Sequence, residues 1–227
     1  VFGLCGDTSL PLYDALCRLD HGITHILTRD ERHAAYMADG YARVTGRPGV
    51  CEGPSGGGAT YILPGVVEAN ESSIPLLAIT TDIATTSRGR FVLTELDQEA
   101  LFAPLTKWNG VIPRAALLPG MVRRAFRELT TGRPGAVHLG LPFDVQKDAV
   151  VEEEIRADGV ARPRAGPEPA AIERLAEALW SAERPVVVCG GGVHRSAASA
   201  ELAALAERHD LAVATTISGK GVLADSH

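Results

Sequence analysis

Short apolar runs punctuate the chain, and helix-sized amphipathic stretches lie between them. The runs are Ile23 to Thr28, Val50-Cys51, Leu76 to Thr80, Ala136 to Leu141, Pro185 to Cys189 and Leu211 to Thr215, and Val1-Phe2-Gly3 reads as the end of another. Between Gly3 and Ile23, Ser9 is placed as an N-cap with Pro11 in the first turn, and Leu12, Leu16 and Leu19 share one face before Gly22. A second helix is predicted over Asp30 to Arg43, with Ala34, Ala38 and Tyr41 on one face, a third from Ala59 to about Asn70 and a fourth from Leu118 to Leu129. Strands alternating with helices predict an α/β fold built on a parallel sheet.

From Glu152 to Pro169 the composition turns to charge, Pro and Gly with almost no apolar periodicity, which reads as a linker. Beyond it a helix carrying Ile172, Leu175 and Leu179 precedes a strand, a glycine turn, a helix from about Ser196 to His209 and a further strand. The division expected is therefore 1–150, a linker at 151–168, and 169–227 as the start of a second, Rossmann-like α/β domain that is incomplete. Because residue 1 is Val, further chain is expected upstream.

Charge and composition exclude several classes. Twenty-two Lys and Arg against 28 Asp and Glu give a net charge of −6, and no basic run could track a phosphate backbone, so no nucleic-acid partner is expected. The apolar runs fall far short of the roughly 20 residues of a membrane span, so no membrane partner is expected. Cys5, Cys17, Cys51 and Cys189 form no C-x-x-C pair, which suggests neither a zinc site nor a disulfide framework and fits a cytoplasmic location. The seven histidines form no H-E-x-x-H, so no protein metal site is expected, and no G-x-S-x-G elbow is present. Asn70-Glu71-Ser72 matches a glycosylation sequon and is read as chance.

The richest segment runs Arg29-Asp30-Glu31-Arg32-His33-Ala34-Ala35-Tyr36-Met37-Ala38-Asp39-Gly40-Tyr41-Ala42-Arg43. Taken alone, Glu31 is a first-turn acid favoured by the helix dipole, worth ~0.3–1 kcal/mol. The whole string, however, resembles the R-H-E-x-x-A-x-x-M-A-x-G-Y-A-R pattern of thiamine-diphosphate enzymes close to acetolactate synthase. The resemblance implies that Glu31 is catalytic and meets the N1′ atom of the cofactor's aminopyrimidine. A carboxyl kept dry enough to share a proton with that nitrogen lets the ring's own amino group take the thiazolium C2 proton. Asp30, where the family has His, and Arg32, where Gln is common, depart from the pattern.

Cys51-Glu52-Gly53-Pro54-Ser55-Gly56-Gly57-Gly58-Ala59-Thr60-Tyr61 is on its own a weak tight-turn or anion signal. It resembles the family's T-S-G-P-G-A-T-N, with Pro54 for Thr, Gly57 for Pro and Tyr61 for Asn, which implies cofactor contact at Pro54, Gly57 and Thr60. Ser73 to Thr80 resembles S-I-P-V-V-A-I-T, followed here by Thr81-Asp82 instead of Gly-Gln. Leu96-Asp97-Gln98-Glu99 and Thr106-Lys107-Trp108-Asn109 resemble F-Q-E and T-K-x-N, which places Gln98 toward the active site; a solvated helix face is the alternative for Gln98 and Lys107 alike. Gly3, Cys5 and Gly6 match a G-Y-P-G loop, and Cys5 is read as a buried structural residue. Gly190, Gly191 and Gly192 resemble the turn that faces FAD in acetolactate synthases, and Gly219-Lys220-Gly221 matches the family's G-K-G.

The resemblance implies a pyrimidine-binding domain at 1–150, thiamine diphosphate as cofactor, a flavin as a further possibility, and a homo-oligomer, dimer or tetramer. It implies Mg2+ held through a C-terminal domain bearing a G-D-G…N motif, which this sequence does not contain, so the isolated chain is expected to be inactive. The activity implied is that of a carboligase or decarboxylase on small-molecule 2-oxo acids, most like acetolactate synthase. A sulfoacetaldehyde acetyltransferase or cyclic-diketone hydrolase on the same scaffold, or a noncatalytic nucleotide-binding module, stands as the alternative.

Overall fold

The computed structural model describes residues 1–150 and 166–227, and the two stretches belong to two separate compact units. The first unit runs β1 (Phe2–Gly3), α1 (Leu10–Arg18), β2 (Ile26–Leu27), α2 (Glu31–Thr45), β3 (Gly49–Gly53), α3 (Gly57–Tyr61), α4 (Leu63–Glu71), β4 (Leu76–Asp82), α5 (Gln98–Phe102), β5 (Trp108–Val111), α6 (Leu118–Thr130) and β6 (Ala136–Pro142). Its six strands pair in parallel in the order β2-β1-β3-β4-β6-β5. Parallel neighbours need crossovers, and the amphipathic helices between the apolar runs supply them.

Successive side chains of a strand point to opposite faces, so a sheet buried on both sides carries two cores. Cys51 and Ala78 join Ala34, Ala35 and Ala38 of α2 and Val66 and Ala69 of α4 on one face. Leu77, Val137 and Leu139 join Ala125 and Leu129 of α6 on the other. The alanines let α2 lie close against the sheet: at Gly49 a Cβ would run into the Ala38 carbonyl oxygen. Gly46, at φ 65°, ends α2 by donating its backbone N–H to the Ala42 carbonyl.

From β1 the chain crosses to β2 on one side, then returns over β1 to β3 on the other. Right-handed crossovers made in opposite directions put α1 and α2 on opposite faces and leave a crevice beyond the carboxyl ends of β1 and β3.

Local differences from the sequence reading have simple causes. The helix expected to reach Leu19 stops at Arg18, leaving Leu19 exposed, and the strand expected over 23–28 is only Ile26–Leu27, exposed at the sheet edge. Ser9 precedes α1, but its hydroxyl caps nothing and turns inward. The helix expected from residue 59 is two helices, the second restarting with Pro64 in its first turn. Tyr41 lies 38% exposed off the alanine face, which Ala42 completes. Helix α5 and strand β5 were not foreseen: five and four residues, one carrying Asn and Gly, show no period.

The second unit holds α7 (Pro169–Ser181), β7 (Val186–Cys189), α8 (Gly192–Ser196), α9 (Ser199–His209) and β8 (Ala212–Thr215), with β7 and β8 parallel. The helix expected from Ser196 begins at Ser199, after Ala197 breaks the turn at φ 54°. Of the expected linker, residues 151–165 lie outside those described. No helix among the described residues is long and apolar enough to cross a membrane.

Two Gly→Ala substitutions should separate close packing from backbone entropy. Gly40, inside α2 with nothing near its Cβ position, is expected to gain ~0.5–1 kcal/mol as Ala. Gly49→Ala is expected to lose ~1–3 kcal/mol or more, because backbone must move. Urea denaturation of the two variants checks both signs.

Candidate active site

Three segments meet at the crevice: the loop after β1, the first turn of α2 and the turn between β3 and α3. Asp30 caps α2, its Oδ1 accepting the Arg32 N–H at 2.9 Å. The Arg32 guanidinium closes on the same carboxyl at 2.6 Å and holds it well below the usual carboxylate range. This fixes the next residue, Glu31, half-buried at the start of α2, with Oε1 3.3 Å from where a Cβ at Gly58 would lie. At Gly58 that Cβ would also collide with the Pro54 ring, and at Gly6 a Cβ would come within 2.5 Å of Pro54. Gly56 takes φ 69°, the left-handed region in which glycine is at ease, and its Cβ position is crowded by Thr94. The glycines are therefore what allow the β3–α3 turn to lie against both Glu31 and the β1 loop.

Beneath this turn lies a residue that motif matching passed over. Glu52, in β3, is 1% exposed, and hydroxyls approach both of its oxygens. Ser9 Oγ donates to Oε1 at 2.5 Å and the Tyr13 hydroxyl to Oε2 at 2.8 Å. The network continues from Ser9 to Thr81 at 3.0 Å, Thr81 to Thr8 at 2.8 Å, Thr8 to Ser55 at 3.1 Å and Ser55 to Thr94 at 2.7 Å. Burial pushes the Glu52 carboxyl up to about 7; the two hydroxyls pull it down and the charge of Glu31 adds to the rise. Burial, followed by the Glu52 charge and hydrogen bond, pushes the Tyr13 phenol up. The signal available in the sequence was a carboxylate inside an otherwise apolar strand, directly before the glycine turn.

The other expected site residues divide. Glu31 and Pro54 come together across Gly58, which was not among the expected residues; Gly57 is open at its Cβ position, and Thr60 donates to the Gly57 carbonyl at 2.8 Å. Gln98 is 1% exposed, its amide donating to the Thr81 carbonyl at 2.9 Å and its Oε1 accepting from the Thr80 hydroxyl. Thr80 also meets His138 Nε2 at 2.6 Å, and this histidine, stacked on Phe102 at 3.8 Å, is pushed down to about 3 by burial and so stays neutral. Lys107 donates to the Glu128 and Thr131 carbonyls at 2.6 and 2.8 Å, tying the C-terminal end of α6, and lies in a bend and not on a helix face.

Cys5 is exposed, contrary to the structural burial expected of it, because the loop carries it past the end of β1. Partial burial and then the Glu52 charge push its thiol up, which makes it a weak nucleophile. In the second unit Gly190 ends β7 and Gly192 opens α8, while the Cβ position of Gly191 lies 3.1 Å from Ser218 and from the Arg195 guanidinium. The Gly219-Lys220-Gly221 turn packs Gly219 against the Cys189 carbonyl. Among the described residues no group of three His, Cys, Asp or Glu could hold a metal ion.

Comparison with known proteins adds independent findings. Residues 1–101 match the thiamine pyrophosphate enzyme N-terminal TPP-binding domain, and residues 172–227 match the thiamine pyrophosphate enzyme central domain. Over all of its length the chain is 40% identical to a protein of Methanocaldococcus jannaschii described as "Probable acetolactate synthase large subunit", covering 39% of it. Over all of its length it is also 39% identical to a glyoxylate carboligase of Escherichia coli, covering 38% of it. Over 98% of its length it is 39% identical to a Pseudomonas aeruginosa protein described as "Probable 2-ketoarginine decarboxylase", covering 40% of it. The chain thus spans about two-fifths of the relatives it matches.

A carboxyl raised from 4.5 to about 7 gives stability that is complete below the lower value and is lost as pH rises through the upper one. Between these values the folded chain should lose up to ~1.4 kcal/mol per pH unit from Glu52 alone. His138, pushed down from 6.5 to about 3, titrates with the opposite sign over an overlapping range, so only the difference between wild type and Glu52→Gln isolates the effect. Urea midpoints of the two at pH 5, 6, 7 and 8 should lie closest at pH 5 and separate toward pH 7, wild type losing ground to the Gln variant.

Proposed function

The chain belongs to the thiamine pyrophosphate enzymes by its N-terminal and central domains, and on that premise we propose that it forms the cofactor-activating part of a carboligase or decarboxylase acting on 2-oxo acids, most like acetolactate synthase. The observation that carries this reading is the placement of Glu31 at the start of α2, facing a turn that only glycines allow so close. The residues fit a flat heteroaromatic ring: Gly57 leaves its Cβ position open, and Gly58 brings bare backbone beside the carboxyl.

When bound, thiamine diphosphate supplies the carbon nucleophile that adds to a 2-oxo acid. Glu31 holds or releases a proton at the pyrimidine N1′, and Asp30, by capping α2, keeps Glu31 at that position. Pro54, Gly57 and Thr60 shape the turn against the ring, while Gln98 braces β4 behind it through Thr80 and Thr81. Mg2+ belongs with the cofactor's diphosphate, for which residues 1–150 and 166–227 offer no ligand cluster. FAD against Gly190, Gly191 and Gly192 extends the reading to the second unit, where Ser218 and Arg195 narrow the approach. A cytoplasmic homo-oligomer, dimer or tetramer, in which a neighbouring subunit completes the crevice, is the working state proposed.

A second reading, another thiamine-dependent enzyme with a different donor or acceptor, is favoured by the equal identity to a glyoxylate carboligase and a protein described as a 2-ketoarginine decarboxylase. The departures at Asp30, Pro54, Tyr61 and Asp82 lie at the crevice or beside it.

In the assembled enzyme, Glu31→Gln is expected to lower cofactor-dependent consumption of a 2-oxo acid by about 10²–10⁴-fold. Exchange of the C2 proton of thiamine diphosphate should slow with it, while the melting temperature stays unchanged. Full exchange and turnover in the Gln variant would overturn the role of Glu31.

A further inference from the structure

We propose that Glu52 is a positioning residue of the crevice: it ties β3 to Ser9 and Tyr13 across the β1–β3 switch point and sets the charge against which Glu31 works. The inference rests on the reading of Glu31 given above.

The register places Glu52 directly opposite Gly3, and a Cβ at Gly3 would lie 2.5 Å from the Tyr13 hydroxyl and 3.0 Å from Glu52 Oε2. A side chain at residue 3 would therefore fill the space that the carboxyl and phenol share. An aliphatic residue at 52 would serve a strand interior, since a buried carboxyl costs several kcal/mol unless its oxygens are met. Here hydroxyls meet both oxygens, each from an element that leaves β1 toward α1. Through Thr81, Thr8 and Ser55 the same network reaches the turn that faces Glu31. Glu52 thus connects the two loops that flank the crevice.

The ionisable groups facing Glu52 are Tyr13 from α1, Cys5 from the β1 loop and Glu31 from α2, with Cys51 beside it in the strand on the opposite face. Asp7 and Cys17 face Cys5, and His25 stands edge-on to Tyr13 at 4.8 Å. Among the described residues no Lys, Arg or His pairs with Glu52. Glu31 is thus the neighbouring carboxylate whose charge adds to the burial that pushes Glu52 up.

The test is a carboxyl titration of the ligand-free full chain by 13C NMR, in wild type, Glu52→Gln, Glu31→Gln and Tyr13→Phe. One carboxyl should titrate near pH 7, vanish in Glu52→Gln, move to lower pH in Glu31→Gln and to higher pH in Tyr13→Phe. A resonance that ignores Glu31→Gln, or a Glu52 carboxyl that titrates with the ordinary ones, would overturn the proposal and leave a purely structural tie. If Glu52→Gln does not fold, the Tyr13→Phe and Glu31→Gln titrations still decide. In the assembled enzyme Glu52→Gln should shift the pH profile of turnover, and an unmoved profile counts against the proposal. No cofactor enters the NMR experiment, so coupling that persists while Glu31→Gln keeps full turnover would refute the role of Glu31 and not the coupling.

Discussion

The reversal of strand order between β1 and β3 is the constraint on which the rest of the first unit depends. Because crossovers keep one hand, the reversal sends α1 and α2 to opposite faces and leaves no helix over the carboxyl ends of β1 and β3. Everything of chemical interest collects there. The start of α2 brings Glu31, the end of β3 brings Glu52 and the glycine turn, and the loop after β1 brings Cys5, Thr8 and Ser9. Small residues convert this topology into contact: Ala38 and Gly49 bring α2 onto the sheet, and Gly6, Pro54 and Gly58 stack the loops.

Much of this was legible in the chain before any coordinates. The apolar runs at 76–80 and 136–141 became the longest strands, and the α/β architecture followed from their alternation with helices. The position of Glu31 beside the glycine turn was legible because a long string of residues surrounds it. What could not be read was long-range or unpatterned. The edge strand β2 is two residues of the six-residue stretch that reads as a strand, and only pairing with β1 selects them. Glu52 carried no motif; its partners, Ser9 and Tyr13, lie some 40 positions upstream, and nothing local in the sequence joins them. Lys107 reads as a surface charge until the end of α6 is placed under it.

The departures from the family pattern turn out to have local partners. Asp30 caps its helix and grips Arg32, itself a departure, and the Arg32 guanidinium lies 5.7 Å from the ring centre of Tyr61, a third. Asp82 is 1% exposed, accepts the Ile83 N–H at 2.8 Å and pairs with Arg88 at 2.7 Å. Thr81 bonds Ser9 and Thr8. These substitutions fall into two local contact groups, Asp30 with Arg32 and Tyr61, and Thr81 with Asp82 and their partners.

Strand β1 has a consequence for handling the protein. Although it comprises only residues 2 and 3, it is bracketed by β2 on one side and β3 on the other, and the Val1 carbonyl and amino group bond Ile26 and Thr24. Losing these few residues would take away an interior member of the sheet, and would cut β2 off from the remaining strands.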